Sequence, residues 1–475
     1  MFRAANIHYE VAERDRGIAV GGIGAIHRMV TNLGLPKAIN AGVPILKAHL
    51  PYHESDHVLS MAYNVIAGGI CLEDIELRRN VEVFLDSLGA SRIPDPTTAG
   101  DFLRRFEEAH IVSLMDVINR CRLQVWAQQP REFLEQAVID ADGTMAETDG
   151  ECKLGMDINY KGQWGYQPLL VSLANTQEPL FLANRPGNRP SHEGAAPWLN
   201  RAVGLCREAG FCRILLRGDT DFSQTEYLDG WHATGVEFLF GLDSKANLRN
   251  LAEGLAIDDW KRLQRPAKYE VETEPRQRPD NVKEQIIRER GFRNIRLLGE
   301  DVAEFQYKPV ACRNTYRVVV VRKNLTVERG GVELFPEVRY FFYITNETEL
   351  SAEEIVFLAN ARCNQENLIE QLKNGVHSMR LPSACLESNW TYMVVASLAW
   401  TLKAWFALLL PAKGRWAKKH AEEKGAVLRM EFKSCLNEFI RLPVQVVTQG
   451  RRILMRLLGW NRWLHVFLRG VHAVG

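Results

Sequence analysis

Two hydrophobic periodicities divide the chain. Over residues 1–130, apolar side chains recur three and four apart, as in "DHVLSMAYNVIAG" and "LEDIELRRNVEVFLDSLG", and glycines close both segments. That spacing predicts amphipathic helices. "IPDPTTAGDFLRRF" adds a proline turn, a capping Asp or Thr, and a helix carrying Arg104 and Arg105. From about 131 the pattern shifts to short apolar runs: "LEQAVIDADGT", "YQPLLVSLA", "LFLANRPGN", "CRILLRGDTDF" and "VEFLFGLDS". These predict strands, with "GAAPWLNRAVGLCREAG" and "SQTEYLDGWHATG" as intervening helices. Strands alternating with helices predict an α/β fold, a mixed sheet with covered faces.

Residues 246–345 interrupt this rhythm. The polar "ETEPRQRPDNVKEQIIRERG" precedes two β-rich runs, "YRVVVVRKN" and "RYFFYITNE", and an inserted β-rich subdomain is expected. "SAEEIVFLANARCNQENLIEQLKNG" then predicts one long helix, capped by Ser351 and Glu354 and ended by Gly375. The expected organisation is helical over 1–130, α/β over 131–245, inserted over 246–345, α/β again over 346–400, and helical and basic over 401–475. One apolar run, "YMVVASLAWTLKAWFALLL" (392–410), imitates a membrane span. Lys403 near its middle would cost about 2.5–3.5 kcal/mol in a bilayer, so a buried core helix is expected.

Composition narrows the class. Of 475 residues, 46% are hydrophobic and 25% charged, as in a soluble globular protein. Nine cysteines are scattered without a CxxC pair, which argues against a disulfide framework or zinc ribbon and suits a reducing compartment. The N-terminal stretch has no apolar signal core, so a cytoplasmic location is expected. The net charge of +1 hides an asymmetry: residues 376–475 hold 15 Lys+Arg against 5 Asp+Glu. A polyanionic partner and a solvated basic face both explain such a block.

"HESDH" (53–57) matches HExxH, but Pro51 and Ser55–Asp56 mark a helix entrance, and Ser60 and Tyr63 stand where a third zinc ligand of that motif would come. A helix start with solvated histidines is expected, a zinc hydrolase being the minor rival. "VGGIGAIH" (20–27) lacks the lysine and spacing of a phosphate loop and reads as a helix entry or turn. Asp140 and Asp142 share one face of a strand, and Asp219 ends another. Each alone reads as a turn or capping aspartate. On an ideal helix Arg362, Glu366 and Lys373 fall at about 0°, 40° and 20°, a shared face that alone is an ordinary ion-paired one. Three carboxylates with flanking cations together suit Mg²⁺, a hard ion that takes carboxylate oxygens. Two such ions promote in-line displacement at phosphorus.

With these residues the chain resembles the DDE transposases of bacterial insertion sequences, whose catalytic domain is ribonuclease H-like. The matching pieces are "VIDADGT", "LLRGDTDF" and "RCNQENLIEQLK", the last fitting the R-x3-E-x6-K signature of one branch. "GYQPLL", "RPGN" and "GGICLEDIELRR" are further similar stretches, so the resemblance runs from about 50 to 460. It implies Asp142, Asp219 and Glu366 as catalytic acids holding two Mg²⁺ ions, with Mn²⁺ able to substitute. Thr144 fits the Asp-x-Ser/Thr pattern at Asp142, with Asp140 the alternative first acid. It implies DNA contacts from Arg362 and Lys373, while basic surfaces that include Arg104 and Arg105 supply others. The partners implied are DNA and a second copy of the chain, at the nucleoid. Ala359 departs from the branch, which often has tyrosine there. A transposase-derived DNA-binding protein without catalysis is the rival reading.

Overall fold

A computed structural model describes residues 16–49, 51–265, 282–330, 332–450 and 452–473. The apolar runs become strands where expected: β1 (Gln136–Gly143), β2 (Leu169–Leu173), β3 (Glu178–Ala183), β4 (Arg213–Gly218) and β5 (Glu237–Leu242). They lie in the order β3-β2-β1-β4-β5. β2 is antiparallel to both neighbours, and β4 and β5 run parallel to β1. That order and those directions make the mixed sheet that the sequence predicts. The central strands are apolar on both faces because helices cover them.

The inserted segment is β-rich, but its strands continue this sheet. Three long strands, β6 (Arg293–Tyr307), β7 (Tyr316–Arg329) and β8 (Val332–Thr345), pair in sequence, and β8 pairs with β5. With the short strand Lys261–Arg262 the sheet has nine strands among the described residues. β6 was not foreseen, because charges break its alternation and its register shifts between Leu297 and Gly299. Part of the charged stretch before it, residues 272–281, lies outside the described residues; Val282–Glu289 is a helix.

Six helices matter below: α1 (Glu54–Ile66), α2 (Glu108–Trp126), α3 (Ala195–Ala209), α4 (Ala352–Asn360), α5 (Cys363–Glu370) and α6 (Leu386–Leu408). Gly210, at φ +90°, ends α3 in the left-handed conformation that glycine takes without strain. The stretch predicted as one helix over 72–89 breaks into Leu72–Ile75, Glu76–Arg79 and Glu82–Ser87. Asn80 turns back to bond Glu76, and Val81 is extended. The C-terminal region is helical apart from a hairpin, Val444–Gln449 with Arg452–Leu457, which also pairs with Gly17–Ile18.

The membrane-like run is α6, and it is buried throughout its apolar length. Lys403 is accommodated by donating to the Leu428 carbonyl at 2.5 Å and lying 4.1 Å from the Trp400 ring centroid. Burial lowers its pKa to about 8. α6 packs on α1, α2 and β3, so one core joins the N-terminal helices, the sheet and the C-terminal region.

A buried carboxylate pins these layers. Glu178 on β3 is fully buried. It accepts from Arg122 Nε (2.9 Å) and Trp126 Nε1 (3.1 Å) on α2, from Trp405 Nε1 on α6 (2.9 Å) and from Thr176 Oγ1 (2.7 Å). Removing one partner of such a pair strands the other charge in the core. Glu178→Ala is therefore expected to destabilise the protein by about 3–5 kcal/mol, read as a lowered urea midpoint. A midpoint within error of the parent would refute the assignment.

Candidate active site

The parallel pairing of β1 and β4 sets Asp140 opposite Arg217. Extending that register by two residues brings Asp142 beside Asp219. The two β1 acids then part in role. Asp140 is fully buried, and Arg217 grips both its oxygens, through Nε at 2.7 Å and Nη2 at 2.8 Å. Arg217 also donates to the Leu358 carbonyl at 2.7 Å. Asp140 thus belongs to a joint between β1, β4 and α4.

Asp142 faces the next cation. Arg362 Nη1 lies 3.0 Å from Asp142 Oδ2, and Arg362 Nη2 lies 3.6 Å from Asp219 Oδ2. One guanidinium spans two carboxylates that would otherwise repel each other. Burial pushes Asp142 up to about 6; Arg362 opposes this and the Asp219 charge adds to it. Asp219 is raised too, mainly by burial, with Arg362 opposing. The other Asp219 oxygen caps the turn Thr220–Phe222 by accepting from the Asp221 N–H at 3.0 Å.

The predicted long helix begins at Ser351 with the expected capping box, but it breaks. At residues 361–362 its bonds tighten to the third residue back: Arg362 N to Ala359 O at 3.3 Å, and Gln365 N to Arg362 O at 2.8 Å. This turn delivers Arg362 to the strand acids. Gln365 then faces inward, bonding Ser172 Oγ and the Leu170 carbonyl on β2. Glu366, the next residue, is exposed and lines a cleft of about 410 Å³ with Asp219, Thr220, Asp243, Arg362 and Cys363. It lies one helical turn beyond Arg362, about 6 Å along the axis.

Lys373 does not join them. Residues Gln371–Gly375 form a π-helical turn, closed by Val376 N to Gln371 O at 2.9 Å. The wider turn breaks the regular rotation on which the shared face depended. The charges bearing on Lys373 are Glu147 and Glu370, which oppose the lowering of its pKa by burial. Arg104 and Arg105 follow the short helix Pro96–Leu103 and are exposed; Arg104 pairs with Asp101. Neither lines the cleft.

Sequence reasoning passed over Asp243, although it ends a strand run, "VEFLFGLDS", much as Asp219 does. Ala359 stands in the cleft wall with Tyr340 and Tyr343 of β8. Trp260 is a packing residue, with the Arg322 guanidinium 4.2 Å over its ring and Tyr340 beside it. Gly21 and Gly22 form a helix entry, as expected. Their N–H groups bond the Leu442 and Ile440 carbonyls, and a Cβ on Gly22 would stand 1.9 Å from the Phe439 carbonyl oxygen.

"HESDH" starts α1, also as expected, but its histidines are not both solvated. His57 is buried and stacked on Phe102 at 4.3 Å, and burial lowers its pKa to about 4. His53 precedes the helix and stacks on His49 instead. The two imidazoles of the motif therefore do not form a zinc-binding pair.

Comparison with known proteins adds a family. The family described as "Transposase DDE domain group 1" matches residues 18–472. No curated protein matches. Among solved structures the chain is similar to a cryo-EM structure of a piggyBac transposase synaptic complex with hairpin DNA. That match has 11% sequence identity and a TM-score of 0.36, covering 89% of this chain and 81% of that one.

The raised Asp142 predicts a pH signature in metal-free protein. The unfolded chain releases this proton near pH 4, while the folded state holds it to about pH 6. The group's contribution to stability is therefore full below pH 4 and is lost as pH rises to 6, by an amount of order 3 kcal/mol. Asp142→Asn is expected to flatten that slope when urea midpoints are followed in EDTA. Parallel slopes in parent and variant would sink the assignment.

Proposed function

The chain belongs to the transposase DDE family, and on that premise we propose that it binds the terminal inverted repeats of a bacterial insertion sequence, cuts the DNA there by hydrolysis, and joins the 3′-OH ends to target DNA. One observation carries this reading. A single guanidinium spans Asp142 and Asp219, and Glu366, one turn away, lines a cleft with Asp219 and Arg362.

Asp142, Asp219 and Glu366 are proposed as the catalytic acids. The donor set suits hard divalent ions, because it offers carboxylate oxygens, and the two strand acids already sit around a cation. Two Mg²⁺ ions, or Mn²⁺, held there would activate the attacking water or hydroxyl and stabilise the leaving oxygen. Asp142 is proposed over Asp140 as the first acid, a choice supported by Arg217 occupying both Asp140 oxygens. Arg362 is proposed to neutralise the strand acids before loading and to contact a phosphate oxygen of the DNA once they are otherwise compensated. The cleft is open enough to admit a phosphodiester, and one set of acids serves nicking and joining, since both are displacements at phosphorus. Lys373, Arg104, Arg105 and the basic C-terminal block are proposed as phosphate contacts, which makes binding strongly salt-dependent. Pairing two element ends calls for at least two copies of the chain, acting at the nucleoid.

Glu366→Gln tests the reading. Since Glu366 is exposed and shows no described structural bond, folding and DNA binding are expected to survive. Strand cleavage in Mg²⁺ or Mn²⁺ is expected to fall by a factor of about 10³ or more. Cleavage at the parental rate would remove Glu366 from the mechanism. Parent protein that binds element ends but cuts them under neither ion would favour a binding-only protein.

A further inference from the structure

We propose that His49, His53 and Glu54 form a second metal site, chemically unlike the first, that takes a borderline transition ion of the Zn²⁺ type. One donor atom from each residue lies within 4.8 Å of the other two. His49 Nε2 is 3.5 Å from Glu54 Oε1, and the two imidazoles stack at 5.2 Å with planes 16° apart. Donors around a tetrahedral Zn²⁺ at about 2.1 Å stand about 3.4 Å from one another. The His49–Glu54 spacing already meets that, and rotation of the two exposed rings closes the rest.

Glu54 gives the independent sign of a missing ligand. Its side chain is fully buried. Oε1 accepts from the backbone N–H groups of Ile45 (3.1 Å) and Leu46 (2.9 Å), but buried Oε2 has no hydrogen-bond partner among the described residues. An unsatisfied buried carboxylate oxygen is costly, and a cation is one way to satisfy it.

The site is also held in place. Asp56 accepts the His53 N–H at 2.8 Å, and Asn40 accepts the Ser55 N–H at 2.8 Å. The backbone at the start of α1 is thereby set before any ion arrives. His49 lies on the connection between the helix Leu35–Gly42 and α1, so an ion would tie that connection to the helix. Two imidazoles and one carboxylate favour Zn²⁺ over Mg²⁺, the reverse of the all-carboxylate set in the cleft. A fourth position is left for water. The role assigned is to fix the connection, not to catalyse.

The test strips the full-length chain of metal and titrates it with Co²⁺ as a spectroscopic stand-in for Zn²⁺. One equivalent is expected to give visible d–d absorption of four-coordinate intensity, displaced by Zn²⁺. His49→Ala, a substitution of an exposed side chain, should abolish the band and weaken Zn²⁺ binding by about tenfold or more, with an unchanged circular dichroism spectrum. Asp142→Asn should leave the band intact, which separates this site from the cleft. Zn²⁺ should raise the melting temperature of the parent but not of His49→Ala. The proposal falls if no such band forms, or if His49→Ala binds Co²⁺ with the parental spectrum and stoichiometry.

Discussion

Two carboxylates at the ends of neighbouring parallel strands cannot both stay ionised in a half-buried site without a cation between them. The cleft is organised around that constraint. The β1–β4 register forces Asp142 and Asp219 together, burial raises both acids, and Arg362 answers from a helix more than a hundred residues away in sequence. The break at residues 361–362 follows from the same need, because that turn aims the guanidinium at the strand ends while Gln365 anchors the next helix to β2. The site is thus supported by rigid elements on each side: the sheet floor below and a helix clamped to it above.

Buried charge recurs elsewhere under the same rule. Asp140 is answered by Arg217, which also reaches α4; Glu178 is answered by Arg122 and two tryptophans, which fasten α2 and α6 to β3. Lys403, in the middle of α6, is answered by a carbonyl and an aromatic face. The Asp140 and Glu178 contacts join elements remote in sequence, so each of these carboxylates also fixes how elements of the fold meet. Glu54 is the case in which one oxygen goes unanswered.

Much of this was legible in the residues. The five strand runs, the capping box at Ser351, the core character of α6 and the helix start at "HESDH" each rest on local chemistry: apolar periodicity, a hydroxyl facing a glutamate, a lysine inside a greasy run. The failures also share a cause. The face shared by Arg362, Glu366 and Lys373 assumed one uninterrupted helix, and neither the tightening at 361–362 nor the π turn at 371–375 has a local signature in "ARCNQENLIEQLKNG". β6 was missed because it does not alternate: Ile295, Leu297 and Leu298 are exposed while Glu300 is buried, and the strand is held by its neighbour. His57 was expected in solvent because nothing near it in sequence announces Phe102.

By itself the sequence determined which side chains exist to do chemistry and which segments are strands or helices, because those depend on neighbours a few residues away. It supplied two acids at strand ends, a third on a helix beside an arginine, and two candidates for the first acid, Asp140 and Asp142. Only the tertiary structure decided between uses of identical groups. Asp140 and Asp142 share a strand face and differ by one pleat, yet one is sealed by Arg217 and the other meets Arg362 beside Asp219. The physical reason is that a carboxylate's role is set by the cation it meets, and the cations come from β4 and from the turn at residues 361–362, whose positions depend on strand register and helix packing.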